Sequence, residues 1–301
     1  MESSRRYGPA FILLAAILWG VDGVLRRSLF SLPPSIIVFY EHLIGAFLIA
    51  PFFLRLWKRE KLSQKEWIAI ITVSLLSGVL GTLWFTTALA KVNFIPFSVV
   101  FLLQKLQPLF AVAAAAVFLK ERLTMRYIGW AALALIAAYF VTFPAGIVNL
   151  ATGAGTIAAA LFAVGAAAAW GSSTAISRYV LLGHSHTFTT GLRFLLTVPM
   201  AFVAVLILGE APVLGEPTGS QLLRLLAIAL STGMVALWIY YRGLKETEAK
   251  VSTILELAFP LTAVLIDIVF YDTVLASSQY LAAAVLLFAM YQVSRLNAQQ
   301  K

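Results

Sequence analysis

Lys105 stands in FLLQKLQPLFAV (residues 101–112), between Gln104 and Gln107, and Glu256 stands in a second apolar stretch, VSTILELAFPLTAV (251–264). Asp22 precedes Arg26 by four residues, and Glu41, His42 and Arg193 interrupt further apolar runs. A charged group in hydrocarbon costs about 3 kcal/mol or more, so such residues face protein or water. A carboxylate and an ammonium facing one wet cavity would each attract the opposite charge and so bracket a zwitterion such as an amino acid. The structural alternative is that they pair with each other or with backbone carbonyls, and Lys105 can also snorkel toward an interface. His42 could titrate near neutral pH and couple a proton, or make a structural contact to a neighbouring helix. Asp22 and Arg26 satisfy each other at i and i+4, which leaves Asp22 as a secondary coupling candidate.

The elements that hold these residues are set by composition. The chain has 301 residues, 61% hydrophobic and 12% charged, with a mean hydropathy of +0.93. Soluble domains carry about a quarter charged residues, so this balance cannot cover a water-facing surface. Ten apolar blocks are each long enough to cross a bilayer. They run at about 9–29, 36–56, 67–89, 96–118, 126–143, 154–179, 187–208, 221–243, 251–270 and 276–294. Backbone groups in lipid must be satisfied within the segment, so the blocks are predicted helices. The fold class is all-α integral membrane. With no cysteine, disulfides, thiolate metal sites and cysteine nucleophiles are excluded. No metal or other cofactor is implied.

The net charge of +9 is a topology signal and does not indicate nucleic acid. Arg5, Arg6, Arg55, Lys58, Arg59, Lys61, Lys65, Lys120, Arg122, Arg126, Arg178, Arg242, Lys245, Lys250, Arg295 and Lys301 fall on one side. Arg26, Arg27, Lys91 and Arg224 fall on the other. The positive-inside rule then places both termini in the cytoplasm. The first block follows RRYGP but lacks a small-x-small cleavage site, and it has a partner later in the chain, so it belongs to the fold.

That partner reveals a duplication. AAILWGVDGVLRR (15–27) aligns with AAAAWGSSTAISR (166–178), placing Trp19 on Trp170, Gly20 on Gly171 and Arg27 on Arg178. The same offset puts His42 on Arg193 and Glu121 on Asp272, while LQPLFAV (106–112) meets LAFPLTAV (257–264), Pro108 on Pro260. GTLWFTTALAK (81–91) resembles VALWIYYRGLK (235–245), Trp84 on Trp238. The repeats are 1–147 and 148–301, with the seam near FPAGIVNLATG (143–153). Each repeat carries five spans, an odd number, so the second enters the membrane inverted. Inverted repeats with a site near the midplane are a transporter architecture. At about 1.5 Å per residue, Gln104 and Glu256 each lie roughly 10 Å from their own membrane face. Inversion puts Gln104 and Lys105 in the outer half and Glu256 in the inner half.

On these features the chain resembles the drug/metabolite transporter superfamily, and within it the ten-helix EamA-type members. The likeness rests on the doubled W-G pair, the basic ends of spans 1 and 6, and the proline-centred spans 4 and 9, each followed by an acidic residue. It implies a bacterial inner-membrane exporter of amino acids, including neutral and aromatic ones, and related metabolites. Alternating access would run through a cavity lined by spans 1, 3, 4, 6, 8 and 9. Asp22 and Lys105 depart from the usual pattern.

The remaining residues fill in the expected site. Trp19 and Trp170 sit mid-span beside glycine, where rigid apolar walls would suit amino-acid side chains. Trp84, Trp238 and Tyr240 are further wall candidates, with packing as the alternative. Trp57 and Trp67 are expected interfacial anchors, and Trp130 is expected to face lipid or a neighbouring subunit. His42 and Arg193, on spans 2 and 7, would flank the cavity more than line it. Pro108 and Pro260 break the backbone ladder and bend the helices beside the site. The runs AVAAAA (111–116) and AVGAAAA (163–169) let helices approach closely. Expected partners are a small-molecule substrate, the lipid bilayer and, in a homodimer, a second copy; a monomer is the alternative. The runner-up substrates are larger anionic metabolites or nucleotide-sugars, which need several cavity-facing cations. An intramembrane enzyme would need clustered carboxylates or a base beside a nucleophile, and HSH (184–186) is too thin to claim zinc. A channel would want a ring of filter residues.

Overall fold

Caps at the loop ends fix where several helices begin. Ser63 and Glu66 form a reciprocal box, the Ser63 N–H donating to the Glu66 carboxylate at 2.7 Å. Thr218 and Gln221 repeat that arrangement, while Thr124 and Ser185 each accept one N–H from the first turn they precede. In the computed structural model, which describes residues 7–91, 99–150, 153, 155–271 and 275–299, the chain is all-helical. The first half holds α1 (Gly8–Arg27), α2 (Pro34–Trp57), α3 (Gln64–Val73), α4 (Thr82–Lys91), α5 (Val99–Gln104), α6 (Gln107–Phe118) and α7 (Met125–Thr142). The second holds α8 (Thr156–Gly183), α9 (His186–Ile207), α10 (Gly219–Leu230), α11 (Met234–Glu246), α12 (Ala249–Leu255), α13 (Ala258–Tyr271) and α14 (Ser277–Gln299).

Several of these join end to end. A π-helical stretch, Ser74–Gly81, links α3 to α4. Breaks at 105–106, 231–233 and 256–257 separate α5 from α6, α10 from α11 and α12 from α13. Among the described residues, eight spans are long and apolar enough to cross a membrane, and α1 adds a shorter apolar run, Gly8–Asp22. Asp272, Arg5, Arg6, Lys301 and the Arg27 side chain, all used in the sequence reading, lie outside the described residues.

The packing pattern maps onto itself when the two sequence repeats are exchanged. α1 packs on α11 and α13, while its counterpart α8 packs on α4 and α6; α2 pairs with α9 and α7 with α14. Small residues set the closest approach. A Cβ on Gly171 would meet the Gln107 carbonyl oxygen at 2.5 Å and the Ala111 nitrogen at 3.0 Å, so backbone lies against backbone where α6 starts. Gly171→Val is therefore expected to force α6 from α8 and destabilise the fold by about 1–3 kcal/mol. Thermal unfolding in detergent checks this, and an unchanged midpoint would rule out the close contact.

Trp130 is half-buried. It meets Phe288 of α14 edge-on at 5.5 Å, at the edge of the α7–α14 interface. Trp57 and Trp67 contact each other edge-on at 6.5 Å, with Trp57 exposed.

A charged cluster fastens the two halves at the start of α12. The Glu121 carboxylate accepts the Ala249 and Lys250 N–H groups at 2.8 and 3.0 Å, and Arg178 at 3.1 Å. This is an anion at a helix N-terminus, supplied from the other half of the chain. Arg178 also donates to the Thr247 carbonyl at 2.7 Å, and Lys250 Nζ to the Arg122 carbonyl at 2.6 Å. Lys250, counted as a loop cation in the sequence reading, is thus buried. A second set of cross-links joins Ser35 to Glu210, Tyr40 to the Leu214 carbonyl and Arg224 to the Ser28 carbonyl.

Candidate functional site

The site begins where two helices stop being helices. In an unbroken helix Pro108 and Pro260, lacking N–H groups, would strand the carbonyls of Gln104 and Glu256. The chain instead tightens into three-residue turns just ahead of each proline. Lys105 and Leu106 donate to Leu102 and Leu103, both at 3.1 Å, while Leu257 donates to Ile254 at 3.2 Å and Phe259 to Glu256 at 2.9 Å. Both breaks open onto one cavity of about 230 Å³. Of the residues singled out in the sequence, Trp19, Trp170, Gln104, Lys105, Glu256, Tyr240, His42, Asp22, Arg193, Pro108 and Pro260 line it.

Lys105 and Glu256 reach this cavity with different partners. Glu256 accepts the Tyr240 hydroxyl at 2.6 Å and the Gln107 amide at 3.0 Å. The Lys105 ammonium lies 5.8 Å from the centroid of the Phe259 ring. Among the described residues no ion pair joins the two, so mutual pairing is not what holds them.

The pairing expected of Asp22 and Arg26 is larger than i and i+4. Arg26 Nε donates to Asp22 at 2.8 Å while Nη2 donates to Glu41 at 3.0 Å. Thr232, in the α10–α11 break, adds its hydroxyl to Asp22 at 2.6 Å. One guanidinium thus holds two carboxylates at the cavity edge.

His42 and Arg193 line the cavity rather than flank it. α2 and α9 pack face to face, and their shared seam opens inward. His42 Nδ1 lies 2.8 Å from the Val38 carbonyl, which assigns the proton to that nitrogen, and the ring packs 5.1 Å from Phe194. Arg193 donates to the Tyr241 hydroxyl and to Ser77 Oγ, each at 2.7 Å, and Tyr241 lies 2.8 Å from Ser177 Oγ. Among the described residues the lining holds three acids (Asp22, Glu41, Glu256) and three strong bases (Arg26, Lys105, Arg193), whose formal charges cancel.

The aromatics form two matched pairs. Trp19 meets Tyr240 at 5.1 Å and 52°, and Trp170 meets Phe85 at 5.1 Å and 55°. Trp170 also donates to the Ser77 carbonyl at 3.2 Å, in the π-helical stretch. Trp84 and Trp238 do not line the cavity. Trp84 packs against Gly165, and Trp238 donates to Thr187 at 2.9 Å and meets His186 at a tilt, 5.1 Å between ring centroids. Successive residues on a helix turn by about 100°, so with Phe85 and Tyr240 facing inward these tryptophans point elsewhere. His184, of the HSH stretch, has its ring nitrogens 3.1 Å from Glu60 and from Glu66, away from the cavity.

The profile of the EamA-like transporter family matches residues 6–143 and again residues 157–295. The chain belongs to that family. It is 35% identical over 293 residues to the riboflavin transporter ImpX of Fusobacterium nucleatum, covering 96% of this chain and 98% of that protein. It is 25% identical to the uncharacterized transporter YwfM of Bacillus subtilis, covering 97% and 95%. One solved crystal structure, 19% identical, superposes with a TM-score of 0.76 over 98% of both chains, which shows a shared fold.

The cavity of this EamA-like transporter is also lined by residues that sequence reasoning did not single out as site residues: Gln107, Ser77, Phe85, Thr86, Ser173, Thr174, Ser177, Tyr241 and Thr253. One signal was present. Ser173, Thr174 and Ser177 recur with Trp170 on one face of α8, in a helix otherwise rich in alanine. Gln107 was marked only as a polar residue in an apolar stretch, and its partner Glu256 lies in the other half of the chain.

Proposed function

We propose that this membrane transporter is a ten-helix carrier in the plasma membrane, built from inverted repeats 1–147 and 148–301 with both termini in the cytoplasm. Its solute is a net-neutral, planar heteroaromatic molecule bearing hydroxyl groups, with riboflavin the first candidate. The observation that carries this reading is the pair of aromatic dyads, Trp19–Tyr240 and Trp170–Phe85, on the wall of a charge-balanced cavity. Flat π-faces gain from offset stacking on a flat ring. The equal numbers of acids and bases among the described lining residues give no net pull on an anion, which disfavours nucleotide-sugars and phosphorylated flavins. The name of the Fusobacterium relative supports the same solute. Five spans per repeat support the inversion, and the clustering of Lys and Arg on one side supports the orientation.

A second reading, exchange of amino acids, is favoured by one observation. Lys105 has no carboxylate partner among the described residues, and Glu256 has only neutral ones, so both charges are available to a zwitterion. Export is the direction that the family resemblance implies, although a carrier follows whatever gradient it is given.

Counterflow into proteoliposomes of pure protein separates the readings. Labelled riboflavin is expected to exchange, flavin mononucleotide is not, and Trp170→Ala should lower riboflavin exchange about tenfold, or about 1.4 kcal/mol. Exchange of tryptophan or alanine with silence on riboflavin would replace the flavin reading by the amino-acid one.

A further inference from the structure

We propose that the connection between α2 and α3 is a binding surface for anionic phospholipid, with Arg55, Lys58, Arg59, Lys61 and Lys65 taking the headgroup phosphates. All five side chains are exposed, and among the described residues none of them has a carboxylate partner. The two acids of the same stretch are turned the other way. Glu60 accepts the Ser185 N–H at 3.0 Å and lies 3.1 Å from His184 Nδ1. Glu66 accepts the Ser63 N–H at 2.7 Å and lies 3.1 Å from His184 Nε2. Both carboxylates are consumed in capping α3 and fastening the connection to the α8–α9 corner. The sequence interleaves cations with acids here, and the fold leaves only the cations facing outward.

The same end of the protein repeats the pattern. Lys120, Arg122, Arg126 and Arg242 are exposed, whereas Glu121, Glu246 and Glu248 are not. At the opposite end the exposed charges among the described residues are mixed, Lys91 and Arg224 with Glu216. What sets the α2–α3 connection apart is its depth. Arg55 and Lys58 bracket Trp57, and Lys65 lies two residues before Trp67. Tryptophan settles at the headgroup level of a bilayer, so these cations stand beside the phosphates. Four to eight Lys and Arg at the end of a span recruit anionic lipid, each cation contributing about fivefold in affinity. Arginine forks onto two phosphate oxygens, and lysine adds a point charge. The neighbouring surface favours a lipid over a soluble phosphate, because Phe52, Leu54 and Ile68 are exposed beside the cations and suit acyl chains. A lipid bound here also sits on the joint that Glu60 and Glu66 make with the second half of the chain, so it should stabilise the protein.

Native mass spectrometry of the purified protein in detergent compares dioleoylphosphatidylglycerol with dioleoylphosphatidylcholine, and thermal unfolding is read in the same samples. Wild type is expected to bind phosphatidylglycerol at least about tenfold more tightly and to unfold at a higher temperature with it. Arg59→Gln with Lys61→Gln should cut phosphatidylglycerol binding about tenfold and leave phosphatidylcholine binding unchanged. Arg59→Lys with Lys61→Arg keeps both charges and should bind as wild type does, which separates lost charge from lost folding. Arg122→Gln with Arg126→Gln removes the same charge from the α6–α7 connection and should cost less than about threefold. Equal binding of the two lipids by wild type overturns the proposal. So does an equal loss in the two glutamine variants, which would spread the attraction over the whole face. Displacement of phosphatidylglycerol by an equal concentration of glycerol 3-phosphate would reassign the cations to a soluble phosphate and overturn the lipid.

Discussion

Arg26→Met is expected to destabilise the protein by about 3–5 kcal/mol, the largest effect of any single substitution considered. Arg26 is 5% exposed and holds Asp22 at 2.8 Å and Glu41 at 3.0 Å. Removing it leaves two carboxylates close together in a low dielectric, with, among the described residues, the Thr232 hydroxyl as the one remaining side-chain donor, and that to Asp22. Most of the loss is the penalty of that unpaired charge rather than the value of the bonds removed. The triple variant carrying Asp22→Asn and Glu41→Gln as well should therefore recover most of the stability, because the amides need no counter-charge. Thermal unfolding in one detergent reads all the variants. A triple variant no more stable than Arg26→Met would show that packing of the arginine stem, and not charge, is what matters.

Glu121→Ala is expected to open the protein at the start of α12. Glu121 accepts two N–H groups and a guanidinium there, tying the end of α6 to α8 and α12. Its loss strands Arg178 beside a bare helix N-terminus, at about 2–5 kcal/mol. The chain has no cysteine, so a single introduced thiol reports on this end without background. Ser252→Cys, at a position 0% exposed, should react slowly with a maleimide in the parent and at least tenfold faster alongside Glu121→Ala. Equal labelling in both backgrounds would show that other contacts hold the start of α12 in place.

How much of this was legible beforehand varies by residue. The predicted block at 187–208 and the observed His186–Ile207 nearly coincide, because a bilayer demands about the same apolar length of every segment. The breaks beside Pro108 and Pro260 were legible for a similar reason, since a missing N–H is a property of the residue itself. Trp84 and Phe85 were not separable, as both are aromatic, and only the rotation of α4 decides which faces the cavity. The same holds for Trp238 and Tyr240 on α11. Asp22 and Arg26 were paired correctly from their spacing, but Glu41 joins them from another helix, fifteen residues beyond Arg26. No local pattern encodes that.

The sequence by itself determined that the chain is a helical membrane protein with a doubled pattern, and which polar residues its apolar segments carry. These are consequences of solvent and of local spacing, which act on each segment alone. Only the tertiary structure decided that His42 and Arg193 line the cavity, that Gln107 and Tyr240 hold Glu256, and that Glu121 caps a helix more than a hundred residues away. Those outcomes depend on the rotation and approach of whole helices. Small residues such as Gly171 set these through contacts between segments that are distant in sequence.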